Sequence, residues 1–189
     1  MTPEKAWVES IMGPVSERLH EADSSLRSYC GSKLSYAHEI REYKGQNPSI
    51  QNTAAYETDV LITEVVAENV WKPRVVIEAK LGKVTTHDAI AYSEKANTHK
   101  SVHPYLRYGI LIGDRKHYPL PGRLFRHVAY FDFMLSWTGM MPSPLELDLF
   151  LSVILDEINA SRNLEEMLYT SRSPSRKRYT LLHKPLRLE

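Results

Sequence analysis

Apolar residues recur every three or four positions through Trp7, Ile11, Val15, Leu19, Ala22 and Leu26, a stripe that predicts an amphipathic helix. Gly13-Pro14 interrupts the stripe and predicts a kink or two consecutive helices. Ser28 to Ser32 reads as a stop. Leu34, Tyr36, His38 and Ile40 then alternate with more polar neighbours, which predicts a strand over residues 34–43. Lys44 to Ala54, rich in Gly, Asn, Gln, Pro and Ser, reads as a loop. Two runs rich in Val and Ile, residues 56–65 and 74–81, predict the second and third strands, separated by a turn over Glu68 to Pro73.

The second half is punctuated by caps. Thr85-x-x-Asp88 is a capping pattern, so a helix should run to about Lys100, with Pro104 beyond its end. Arg107 to Gly113 reads as a short buried strand, residues 114–124 as a loop, and Val128 to Phe133 as a further strand. Ser143-Pro144-Leu145-Glu146 is a strong helix start, and the helix should reach about Ile158 or continue through Leu168. It is apolar nearly all round, which suits core packing or a helix shared between two copies in a homodimer. Residues 171–189 read as a basic tail behind one compact domain, residues 1–170. The predicted class is α/β: a mixed central sheet flanked by helices, with a C-terminal helical extension.

Composition narrows the functional classes. The chain has 189 residues, 42% hydrophobic and 25% charged, an ordinary globular balance. No run approaches the length of a membrane span, and the first residues lack the pattern of a signal peptide. Cys30 is the single cysteine, which excludes an intrachain disulfide and thiolate zinc sites; a cytoplasmic setting is expected. Net charge is only +1, but the tail carries Arg172, Arg176, Lys177, Arg178, Lys184 and Arg187 without an acid. No phosphate-binding loop is present, so no nucleotide cofactor is implied.

The chemistry concentrates on Asp59 in the second strand and Glu78-Ala79-Lys80 at the end of the third. A hairpin centred between Glu68 and Asn69 puts Asp59 opposite Glu78, where cross-strand Cβ atoms lie about 5 Å apart. Alternation puts Lys80 on the face of Glu78 and Glu57 on the face of Asp59. Mg²⁺ takes oxygen ligands and keeps several waters, so Asp59, Glu78 and the Ala79 carbonyl suffice to hold it. A neighbouring lysine can orient or deprotonate a water and offset charge beside a phosphodiester. His99 and His103 have zinc-like spacing but no evident third ligand.

The order of helix, strand, strand with Asp59, strand with Glu78-x-Lys80, helix and strand resembles the PD-(D/E)xK nuclease superfamily over about residues 1–113. Thr58 stands where that family often has proline. The resemblance implies a restriction-endonuclease-like core and a Mg²⁺-dependent DNA endonuclease, with Mn²⁺ able to substitute. It assigns metal binding to Asp59 and Glu78 and assistance of the water to Lys80. It also implies an acid from the first helix, with Glu17 and Glu21 as candidates. Lys83, Lys95, Arg115 and Lys116 are candidates for DNA contacts, as are His117 and Tyr118 in the same loop. A restriction or defence role is the leading expectation. A structure-specific repair or recombination nuclease and a catalytically silent DNA-binding module are the alternatives.

Overall fold

A computed structural model describes residues 2–116 and 120–170. The basic tail, His117 and Tyr118 lie outside the described residues. The order is α1 (Pro3–Ala22), β1 (Leu26–Lys44), β2 (Asn47–Ala67), β3 (Val70–Leu81), α2 (Thr86–Val102), β4 (Arg107–Gly113), α3 (Gly122–His127), β5 (Phe133–Ser136) and α4 (Pro144–Tyr169). The described strands form one mixed sheet in the order β1-β2-β3-β4-β5. The first three pair antiparallel, and β3, β4 and β5 run parallel. Among the described residues no helix is long and apolar enough to cross a membrane.

Helices cover both faces. On one face, Trp7, Ile11, Val15 and Leu19 of α1 and Phe150, Leu151, Ile154 and Ile158 of α4 pack on Val60, Ile62, Val75, Ile77 and Leu111. On the other, Ala96 of α2 meets Leu61, Val76 and Tyr108, while Ala89 of α2 and Leu124 of α3 meet Ile110 and Ile112. The small buried residues of α2, Ala89, Ser93 and Ala96, let its backbone lie close to the strands. Both predicted capping boxes are present, at Thr85 with Asp88 and at Ser143 with Glu146. α4 spends most of its apolar positions on the chain's own core; Leu145 and Leu149 stay exposed.

Several boundaries differ from expectation. The turn expected over Glu68 to Pro73 is confined to Glu68-Asn69, and Val70 onward pairs in β3. α1 runs unbroken through Gly13-Pro14, because both residues are exposed and the carbonyl that Pro14 leaves unpaired can face water. Residues 28–32 are strand rather than stop, with Gly31 at φ +64° absorbing the irregularity. The expected loop 44–54 is mostly strand: Asn47 onward pairs with β1, and only Gly45-Gln46 turns. Cross-strand pairing overrides the polar composition there. Near the end, a six-residue helix, α3, falls across the expected loop, and the last strand begins at Phe133 rather than Val128.

The β2–β3 register depends on two bulges. Val60, Leu61 and Ile62 pair with Ile77, Val76 and Val75, as a hairpin centred at Glu68-Asn69 requires. Between there and the turn, Arg74 is an extra residue on β3 and Val66 an extra residue on β2. The two offsets cancel. Asn69 takes φ 58° in the turn, a conformation Asn tolerates.

The Arg74 bulge carries a buried charge network. Its guanidinium, with the side chain 4% exposed, meets Glu64 at 2.5 Å and Glu165 of α4 at 2.7 Å, and lies over the Tyr105 ring. Arg162 of α4 completes the set, reaching Glu64 and Asp23 at 2.7 Å each. Arg74→Ala leaves Glu64 and Glu165 without their shared cation, and a loss of about 3 kcal/mol is expected from breaking such a buried pair, read from the urea unfolding midpoint. A change under about 1 kcal/mol would mean that Arg162 and Lys72 alone compensate these acids.

Candidate active site

Beyond Val60 and Ile77 the β2–β3 ladder ends, and a side chain takes its place. The Ala79 N–H donates to Asp59 Oδ2 at 2.8 Å. The N–H and C=O of one residue leave a strand on the same side, so the Ala79 carbonyl is directed toward Asp59 as well. Asp59 is half-buried, and Glu78, the residue before Ala79, is buried completely at 1% exposure. The backbone thus ties the two carboxylate-bearing strands together one residue from Glu78.

Glu78 has two partners. Lys95 Nζ of α2 lies 2.8 Å from its Oε1, and the Tyr108 hydroxyl donates to the same oxygen. Lys95 also donates to the Glu57 carbonyl at 2.7 Å, which fixes its ammonium between β2 and β3. Burial pushes the Glu78 carboxyl above its ordinary range, and the nearby Asp59 charge adds to this; Lys95 and Tyr108 oppose the shift without overcoming it. Burial and the Glu78 charge likewise raise Tyr108, so its phenol stays protonated as a donor.

Lys80 sits between two further acids. Its Nζ lies 3.7 Å from Glu4 Oε1 in the first turn of α1 and 3.7 Å from Asp88 Oδ1 in the first turn of α2. Asp88 is held in place by its cap, its Oδ2 accepting from the N–H and hydroxyl of Thr85. Burial pushes Asp88 up, but the Thr85 hydrogen bonds and the Lys80 charge outweigh it and hold the acid ionised below the usual range. Tyr92 faces this cluster: its phenol is raised first by burial and then by the charges of Glu78, Asp59, Asp88 and Glu4.

The other candidates are distributed unevenly. Glu57 is exposed and its side chain turns to Lys5 at 3.3 Å, away from Glu78. Glu17 and Glu21 are exposed farther along α1, where Glu17 borders a shallow hollow with His20 and Arg27. The α1 acid that reaches Lys80 is Glu4 instead. Lys95 turns inward onto Glu78 rather than out to solvent. Lys83 and Lys116 are exposed at the ends of β3 and β4, and Arg115 anchors the end of β4 through its N–H to the Trp137 carbonyl. His99 and His103 serve the fold. Each imidazole binds a β1 carbonyl, of Leu34 and Ser35, and burial lowers His99 to about 4.

Glu4 and Tyr108 had weak signals in the sequence: an acid one turn ahead of the buried Trp7-Val8 pair, and one phenol in an otherwise aliphatic strand. Among the described residues, no group of three or more His, Cys, Asp or Glu converges as a metal cluster. A donor set of two carboxylates and one carbonyl suits Mg²⁺, which retains waters, better than Zn²⁺ or a many-ligand Ca²⁺ site.

Compared with protein-family models and with curated protein sequences, the chain matches none. One solved structure, the pre-specific restriction endonuclease BsaWI in complex with DNA, is similar over 89% of this chain at 13% identity and a TM-score of 0.46. The match spans 64% of that protein's chain.

Because Glu78 is held above its ordinary value of 4.5, the folded state binds its proton more tightly than the unfolded state does. The ionised carboxylate therefore subtracts stability. That subtraction is absent below pH 4.5, grows as pH rises through the raised value, and is constant beyond it. Glu78→Gln is expected to unfold at a higher temperature than the parent at neutral pH, with the difference closing as pH falls toward 4. Calorimetry on the pair across that range checks the sign; a variant less stable at neutral pH would show that the ion pair with Lys95 outweighs desolvation.

Proposed function

We propose that the chain is a metal-dependent DNA endonuclease, with a restriction or defence role as its setting. The observation that supports this best is the Ala79 N–H bond to Asp59. It brings Asp59 to the backbone that carries Glu78 and Lys80, where the β2–β3 ladder ends.

In this reading Asp59, Glu78 and the Ala79 carbonyl hold Mg²⁺, or Mn²⁺ in its place. The ion supplies acidification of a bound water and neutralises charge on the phosphoryl oxygens. Lys80, its side chain 23% exposed, orients the attacking water and offsets charge. Glu4 and Asp88, each 3.7 Å from the Lys80 ammonium, restrict where it points. Lys95 and Tyr108 position the Glu78 carboxylate and lessen the cost of its burial. Lys83 and Lys116, exposed at neighbouring strand ends, suit contacts to the DNA backbone.

A second reading, a silent DNA-binding module, has one observation in its favour: the Glu78 carboxylate is already engaged by Lys95 and Tyr108. Supercoiled plasmid separates the two. With Mg²⁺ the parent chain is expected to nick or linearise the plasmid, and EDTA to stop it. Asp59→Ala and Lys80→Ala should each slow cutting at least about 100-fold, the size expected for losing a metal ligand or a group that handles the water. Parent chain that binds plasmid without cutting it, with Mg²⁺ or Mn²⁺, would favour the silent module. Cutting undiminished in both variants would move the site elsewhere.

A further inference from the structure

β1 and β2 are 19 and 21 residues long, far longer than the 7 residues of β4 and the 4 of β5. Their outer halves leave the domain as a two-stranded arm. From the pair Ala37–Ala54 outward they remain paired to Lys44–Asn47 and turn at Gly45, with φ +66°. Seven residues of strand span roughly 23 Å. Residues 38–49 and 51–53 are all exposed, so no helix covers either face of the arm.

The base is clamped while the tip is bare. Tyr36 and Tyr56 stack at 3.8 Å, with His99 of α2 edge-on to both. His99 and His103 hold the carbonyls of Leu34 and Ser35. These contacts fix the arm's direction relative to Asp59, which lies on the same strand five residues beyond Ala54. An isolated hairpin is at best marginally stable in water, so an arm this long has reason to be covered in its working state.

We infer that this arm enters the major groove of double-stranded DNA and reads base edges there. The inference rests on the nuclease reading above and adds the element that supplies specificity. A two-stranded ribbon fits a groove about 12 Å wide. Register shifts between Ser35 and Ala37, Ile40 and Glu42, and Glu42 and Tyr43 bend the ribbon and increase its twist, as following a groove requires. The same irregularities oppose edge-to-edge pairing with another strand, which disfavours a second copy as the occupant. The β2 side of the arm has no charge from Gln46 to Thr53, and Gln46, Asn47, Gln51 and Asn52 provide the amide donors and acceptors that pair with adenine edges. Arg41 and Lys44 on the opposite strand supply a guanine-reading group and a phosphate contact. Glu39 and Glu42 balance them, so the arm is not a general polyanion binder; Glu and Asp also accept from cytosine N4.

The test uses the whole chain and separates this inference from the nuclease reading. Binding is read in EDTA, where cutting plays no part, by fluorescence anisotropy. The probes are a library of 30-base-pair duplexes of random sequence, then the best and the average duplex recovered from it. Three proteins are compared: the parent, Gln51→Ala/Asn52→Ala, and a form in which Ala37 and Ala54 are joined by Asn-Gly. The exposed double variant keeps the fold, which circular dichroism checks, and the shortened form closes with a favoured two-residue turn. The parent is expected to prefer the selected duplex over the average one by about 100-fold or more, the double variant to lose at least about tenfold of that preference, and the shortened form to lose it entirely. Replacing cytosine by glucosylated hydroxymethylcytosine, which fills the major groove, should abolish the preference of the parent. Equal preference in parent and shortened form, or no parent preference, overturns the inference, even if plasmid is cut. A parent dimer that becomes a monomer on shortening, by light scattering, overturns it in favour of a second copy. Selective binding through the arm without any cutting would sustain the inference while the nuclease reading fails.

Discussion

The hydrogen bond from the Ala79 N–H to Asp59 is the contact on which the site depends. It replaces the next rung of the β2–β3 ladder with a carboxylate, so the strands stay joined beyond Val60 and Ile77. Everything nearby follows from that substitution. Glu78 is drawn into the sheet between two covered faces, and a buried carboxylate needs a cation and a donor. Lys95 of α2 and Tyr108 of β4 supply them. Lys80, two residues on, emerges at the strand end among the first turns of α1 and α2, where Glu4 and Asp88 meet it.

Two charge clusters four residues apart on β3 have opposite characters. At Arg74 the ion pairs are closed and mutual, with Glu64, Glu165 and Arg162 satisfying one another and joining α4 to the sheet. Glu64 and Glu165 are accordingly held below the usual carboxylate range, burial notwithstanding. At Glu78 the balance is incomplete, and the carboxyl is held above its range. The first cluster stabilises the fold. The second retains unfavourable electrostatics, which is where groups suited to chemistry concentrate.

Much of this frame was legible in the sequence for local reasons. The turn at Glu68-Asn69 is a matter of composition, and the pairing of Val60 to Ile62 with Val75 to Ile77 follows from its centre. Both capping boxes are four-residue patterns that need no tertiary knowledge. The bulges at Arg74 and Val66 left no such mark, and the inferred register survived because they cancel. The arm was hidden because polar residues in a strand exposed on both faces look like a loop; only the partner strand reveals the pairing. The sequence points to Glu17 and Glu21 rather than Glu4 because the approach of a helix end to a strand end is decided by packing. Trp7 wedged against Gly113 sets it here, and a Cβ at Gly113 would collide with the indole. Lys95, expected at the DNA, turns inward instead because the buried Glu78 carboxylate demands a cation.

The two helices that share one face of the sheet come from opposite ends of the described chain. Trp7 of α1 donates to the Met140 carbonyl just ahead of α4, and Arg18 meets Asp148 at 3.0 Å. A ribosome delivers α1 first and α4 last. At roughly 5–20 residues per second, all five strands are made for a few seconds before Phe150 to Ile158 can emerge. During that interval Val75, Ile77 and Leu111 have only α1 to shelter them. Docking of α4 is thus the step that completes the cover of this face of the sheet.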